Sequence, residues 1–241
     1  MRRRFFWHDQ IERRAAERLG ELATKLGREL APPIPIELLG EQVLGLDLLW
    51  DDIVEMPGEL IFAGLRAGEA LVVLNERRRT VLEEKSGLYR FTVGHEFGHW
   101  DLSTDHAAPK HPALFDDITE GAVKYRSSGE NMVAVLKVLQ EDDLGRELLR
   151  AFTARADDPE EARAVNRYSS ALLMPKDMIV KDALAIDRTR WPDLYRLAER
   201  YDVTISALTV RLEQLDLLYV ERASGRLYTS KAAAFGQQSL F

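Results

Sequence analysis

Five residues constrain this chain more than any others: His95-Glu96-Phe97-Gly98-His99, flanked by Tyr89-Arg90-Phe91-Thr92-Val93-Gly94 and by Trp100-Asp101-Leu102. On an α-helix, residues four apart stand one turn above each other, so both imidazoles leave one face and can converge on a single cation. Neutral imidazole nitrogen suits zinc. Glu96 points to the adjacent face, where a carboxylate can hold the attacking water, take its proton and later pass that proton to a leaving amine. Residue types and spacing together are those of zinc-dependent peptide hydrolysis. The apolar flanks predict a buried helix whose polar face lines a cleft.

Composition narrows the choice of metal donors. The chain has no cysteine, which leaves nitrogen and oxygen ligands and excludes a disulfide framework. With 241 residues, 46% hydrophobic and 30% charged, it can bury one large core or two small ones. A formal net charge of -7 and a pI near 5.4 speak against coating nucleic acid through the overall field. Arg2, Arg3 and Arg4 precede Phe5-Phe6-Trp7, but His8, Asp9, Gln10 and Glu12 follow at once, so the apolar core of a signal peptide does not develop. No stretch reaches bilayer-crossing length, and the expected location is the cytoplasm.

Along the chain, Ile11, Ala15, Leu19, Leu22 and Leu26 predict a packing helix over residues 9–29. Ala31-Pro32-Pro33-Ile34-Pro35 forces extended backbone, and Ile36 to Leu44 reads as a second short helix closed by Gly45. Strands are expected at Leu46–Trp50, Glu59–Leu65 and Ala70–Asn75, the last two joined by a hairpin loop at Arg66-Ala67-Gly68-Glu69. The expected class is α+β, a small antiparallel sheet packed against the His95–His99 helix. Residues 101–156 are expected to be a long helical segment, with helices around Met132–Leu139 and Leu144–Phe152. Residues 1–175 thus form the core, and 176–241 a helical region packed on it. There Trp191–Tyr201 and Ile205–Leu215, with Thr204 as N-cap, have helix-turn-helix proportions. Few basic or amide side chains stand on the second helix, so packing is favoured over reading DNA. A terminal hairpin is expected around Ser224-Gly225, then a tail of weak pattern from Ala232 to Phe241.

Two blocks together resemble the ImmA/IrrE metallopeptidases: Arg90-Phe91-Thr92 with His95-Glu96-Phe97-Gly98-His99, and Asn166-Arg167-Tyr168-Ser169-Ser170-Ala171-Leu172-Leu173-Met174-Pro175. The second is similar to that family's Ala-Asn-Arg-Phe-Ala-Ala-x-Leu-Leu-Met-Pro run. The resemblance implies a zincin-like, cytoplasmic zinc endopeptidase of gluzincin type that cuts a helix-turn-helix repressor. In the family the third zinc ligand is a glutamate four residues before the asparagine, a place held here by Ala162.

A catalytic zinc usually takes three protein ligands, so a partner for His95 and His99 is required. Glu161, beside Glu160 at a helix start after Asp157-Asp158-Pro159, is the leading candidate; Asp105, His106 and His111 compete. Favouring the helix terminus is the alternative role of both glutamates. Tyr168, Tyr125 and Arg90 are candidates to donate a hydrogen bond to the substrate carbonyl, and the sequence does not choose among them. The reading is therefore a Zn2+ endopeptidase with Glu96 as base and acid. An antirepressor that binds without cutting is the first alternative, a DNA-binding regulator the second.

Overall fold

The computed structural model describes residues 7–55, 59–103, 125–126 and 159–236. The architecture is α+β, with nine α-helices and a small mixed sheet among the described residues. Helix α1 (His8–Leu26) buries Ile11, Ala15, Leu19 and Leu22. It stops short of the expected end because Gly27 turns left-handed (φ 62°) and closes the last turn onto Ala23 and Thr24. Helix α2 (Ile36–Leu39) continues as a π-helical turn, Gly40–Leu44, before Gly45.

Strands β1 (Asp47–Asp51), β2 (Glu59–Leu60), β3 (Ala63–Arg66) and β4 (Leu71–Asn75) follow. The β3–β4 hairpin forms, turning through a short 3-10 segment at Ala67–Glu69. The sheet is not antiparallel throughout: its order is β1-β4-β3, and β1 runs parallel to β4 in the register Asp47 to Leu71 through Asp51 to Asn75. Residues 52–70 carry the chain through β3 before it returns beside β1, and a crossover of that length makes the pair parallel. The run expected from Glu59 to Leu65 is interrupted at Ile61, and β2 instead pairs antiparallel with β5 (Tyr125–Arg126).

Helices α3 (Arg79–Glu84) and α4 (Ser86–Gly98) come next, α4 running into a π-helical turn at His99–Ser103. Helix α5 (Pro159–Leu173) packs extensively on both α4 and α1. The helices expected near Met132–Leu139 and Leu144–Phe152 lie outside the described residues. Then come α6 (Lys176–Leu184), α7 (Trp191–Tyr201), α8 (Ile205–Gln214), the β6–β7 hairpin (Tyr219–Glu221, Arg226–Tyr228) and α9 (Lys231–Ala234). The last replaces the start of the expected tail, because the Ser230 hydroxyl accepts from the Ala233 amide and caps a short turn. No helix among the described residues is long and apolar enough to cross a membrane.

Residues from α1 to β7 share one apolar core, including Leu22, Leu39, Val72, Phe97, Leu172 and Leu212. The Thr204 side chain caps α8 through the Ala207 amide at 3.1 Å, as its sequence predicts. None of α8's residues is exposed, and Ser206, Ala207, Leu208, Thr209, Arg211 and Leu212 are buried.

Two glycines set the distance between α4 and α5. A Cβ on Gly94 would stand 2.6 Å from Ser169 Oγ, and one on Gly98 would stand 2.8 Å from Val165 Cγ1 and 3.2 Å from its backbone. Gly98→Ala is therefore expected to destabilise by about 1–3 kcal/mol through overpacking. Gly20→Ala on the open face of α1 meets nothing within 4 Å, and should stabilise by about 0.5–1 kcal/mol. Urea unfolding of both variants checks this; equal effects would mean that the helices do not touch through Gly98.

Candidate metal centre

The α4–α5 contact creates the site. Gly94 and Gly98 flank His95, Glu96 and Phe97, and the close crossing brings side chains of α5 against the imidazoles. Asn166 Oδ1 lies 2.8 Å from His95 Nδ1, and Glu161 Oε1 lies 3.2 Å from His99 Nδ1. An amide oxygen and a carboxylate both accept, so a ring in its neutral form keeps its proton on Nδ1 and leaves Nε2 to bind a cation or a shared proton. The two Nε2 atoms face each other at 3.2 Å, with the rings nearly edge to face. A proton or a metal cation between them satisfies both nitrogens. Two nitrogens on one tetrahedral zinc, at bonds of about 2.05 Å, stand about 3.3 Å apart. The imidazole pair thus fits zinc in donor type and in span.

Electrostatics separates the three polar groups of the motif. Burial, helped by His99, holds His95 down at about 3, against the pull of Asn166 and Glu161, so it stays neutral. Burial also lowers His99, but the hydrogen bond to Glu161 and the charges of Glu96 and Glu161 outweigh it and leave the ring raised. Burial raises Glu96 to about 7, only partly offset by His99. Glu96 is 1% exposed, and its Oε2 has no hydrogen-bond partner among the described residues. A buried carboxylate with an unsatisfied oxygen is poised to accept a proton.

Glu161 reaches the histidines, but at the far nitrogen of His99 and not beside the facing Nε2 atoms. No group of three His, Asp or Glu side chains arranged to hold an ion occurs among the described residues. Asp105, His106 and His111 lie outside them, as does the Tyr125 side chain. The two other candidate carbonyl donors are engaged elsewhere. Tyr168 donates to Asp101 Oδ2 at 2.7 Å, and Arg90 donates to the Ile34 carbonyl at 2.7 Å with Asp202 at 3.5 Å. Burial and the Asp101 charge push the Tyr168 hydroxyl well above its usual range, which keeps it protonated.

Asp101 is a supporting residue that sequence reasoning passed over as part of an apolar flank. Its buried carboxylate accepts from Arg14 at 3.0 Å, Arg18 at 2.7 Å and Tyr168. Burial alone would raise its carboxyl, but these bonds hold it below the ordinary value. They tie the end of the histidine helix to α1 and α5, and the Trp100 indole fixes the same turn on the Leu44 carbonyl at 3.1 Å. Asn166 was also unassigned; its one signal was its place at the head of the Asn166–Pro175 run.

No family model and no curated protein matches this chain.

Proposed function

We propose that the protein is a zinc-dependent endopeptidase of zincin type, with Glu96 as proton carrier and His95 and His99 as zinc ligands. The observation that carries this is the facing Nε2 pair at 3.2 Å beside a buried carboxylate with an unsatisfied oxygen. A bound zinc would polarise the scissile carbonyl and make water a better nucleophile at neutral pH. Glu96 takes the proton from the attacking water at Oε2 and delivers it to the departing amine nitrogen. Asn166 keeps His95 in the Nδ1–H form and so keeps its Nε2 available as a ligand. The substrate proposed, on the likeness of the two sequence blocks to ImmA/IrrE peptidases, is a helix-turn-helix repressor met in the cytoplasm.

Purified protein is expected to carry about one zinc, lost in His95→Ala and in His99→Ala because each removes one of few protein ligands. Elemental analysis measures this, and zinc kept at full stoichiometry by the double variant rules the site out. Incubation with a helix-turn-helix repressor as substrate should yield fragments, and a chelator should stop their formation.

Ala162, at the place of the family's ligand glutamate, favours a second reading: an antirepressor that binds the same partner without cutting it. Complex formation without fragments, unaffected by chelator, would select it.

A further inference from the structure

The geometry points to Glu161 as a positioning residue that holds the Nδ1–H of His99, and not as the third ligand of the ion. This rests on the zinc reading of His95 and His99. The two nitrogens of an imidazole point to opposite flanks of the ring, so a carboxylate seated on Nδ1 faces away from a cation at Nε2. Glu161 Oε1 sits 3.2 Å from His99 Nδ1, while His99 Nε2 faces His95 Nε2 at the same separation. His95 has the matching arrangement, with Asn166 on its Nδ1 at 2.8 Å. Both acceptors come from α5, and each serves one imidazole.

The phase of α5 explains why Glu161 takes this part. Asn166 lies one turn after Ala162, and Val165, which packs on Gly98, lies one turn after Glu161. The position in phase with Asn166 therefore carries only a methyl group and is 6% exposed. Glu161 approaches from about 100° round the helix and meets the outer edge of His99, where 43% of its side chain remains exposed. An acceptor there fixes the tautomer and increases the basicity of Nε2; loss of such a partner lowers metal affinity by about 10–100-fold.

Glu161→Gln and Glu161→Ala separate positioning from ligation, and the exposure of the side chain lets both variants fold. A glutamine oxygen still accepts from Nδ1–H but is a poor zinc ligand. Zinc affinity by chelator competition should stay close to wild type in Glu161→Gln and fall by about 10–100-fold in Glu161→Ala. In metal-free protein with neutral rings, nitrogen-15 NMR should show His99 as Nδ1–H in wild type and Glu161→Gln, with Nε2–H gaining in Glu161→Ala. Equal loss of zinc in the two variants would make Glu161 a direct ligand and overturn the assignment, as would a His99 tautomer indifferent to Glu161→Ala. If wild type takes up no zinc while the tautomer still follows residue 161, the zinc reading fails and the positioning of His99 stands.

Discussion

Glu96→Gln is expected to lower peptide-bond turnover by about 10²–10⁴-fold while leaving zinc content unchanged. The substitution keeps the size of the side chain in a site only 1% exposed, so packing on α4 is preserved. What it removes is the oxygen that accepts a proton, Oε2, which makes no hydrogen bond among the described residues. Because Glu96 is not one of the facing nitrogen donors, metal binding and proton transfer separate in this variant. Repressor cleavage that continues at the wild-type rate would remove Glu96 from the reaction.

The same variant has a signature in stability. Burial raises the Glu96 carboxyl from 4.5 to about 7, so the folded state binds this proton more tightly than the unfolded chain does. Its contribution to stability is full below pH 4.5 and is lost as pH rises through 7. Metal-free Glu96→Gln, which never ionises, should therefore gain on metal-free wild type between about pH 5 and pH 8, by roughly 3 kcal/mol once Glu96 is charged. Urea unfolding at several pH values measures the difference. A difference that does not change with pH would mean that the carboxylate is not buried.

Glu12→Ala should destabilise the fold by about 3–5 kcal/mol, the largest stability effect expected from a single side chain here. Arg211 on α8 is fully buried and donates to Glu12 Oε1 at 2.6 Å, Glu12 Oε2 at 2.8 Å and the Met174 carbonyl at 3.1 Å. Without the carboxylate a guanidinium remains in the core with one carbonyl partner. Burial alone would raise Glu12, but Arg211 and then Arg167 hold it below its ordinary value, as a carboxylate needed in charged form must be. Replacing both partners, Glu12→Leu with Arg211→Met, removes the stranded charge and should recover more than half of the loss. Equilibrium unfolding decides it; a loss below about 1 kcal/mol for Glu12→Ala would place the pair among weak surface bridges.

The histidine pair was legible because its geometry is local: four residues make one turn, whatever the rest of the chain does. Its acceptors were not, since Asn166 is 71 residues from His95 and Glu161 is 62 from His99, and only the packing of two helices joins them. Gly94 and Gly98 carried the signal for that crossing, but small residues in a helix say nothing of which helix approaches. The strands show the same division. Alternation and turn residues placed β4 and the β3–β4 hairpin within a residue or so, whereas the parallel pairing of β1 with β4 depends on the path of residues 52–70 and leaves no periodic trace. Thr204 was read correctly as a start signal, whereas the stop at Gly27 was missed and the helix was carried on to residue 29. Asp101 was hidden because its partners, Arg14, Arg18 and Tyr168, come from both directions in the chain.

That hub has a temporal meaning. During synthesis the ribosome releases both histidines well before α5, so an incomplete chain holds the histidine pair without the amide that meets His95 or the phenol that closes on Asp101. Arg14 and Arg18 wait on the same carboxylate from the other end. The arrangement around this carboxylate is complete only once α1, α4 and α5 have closed together, so its last part waits on the helix made latest.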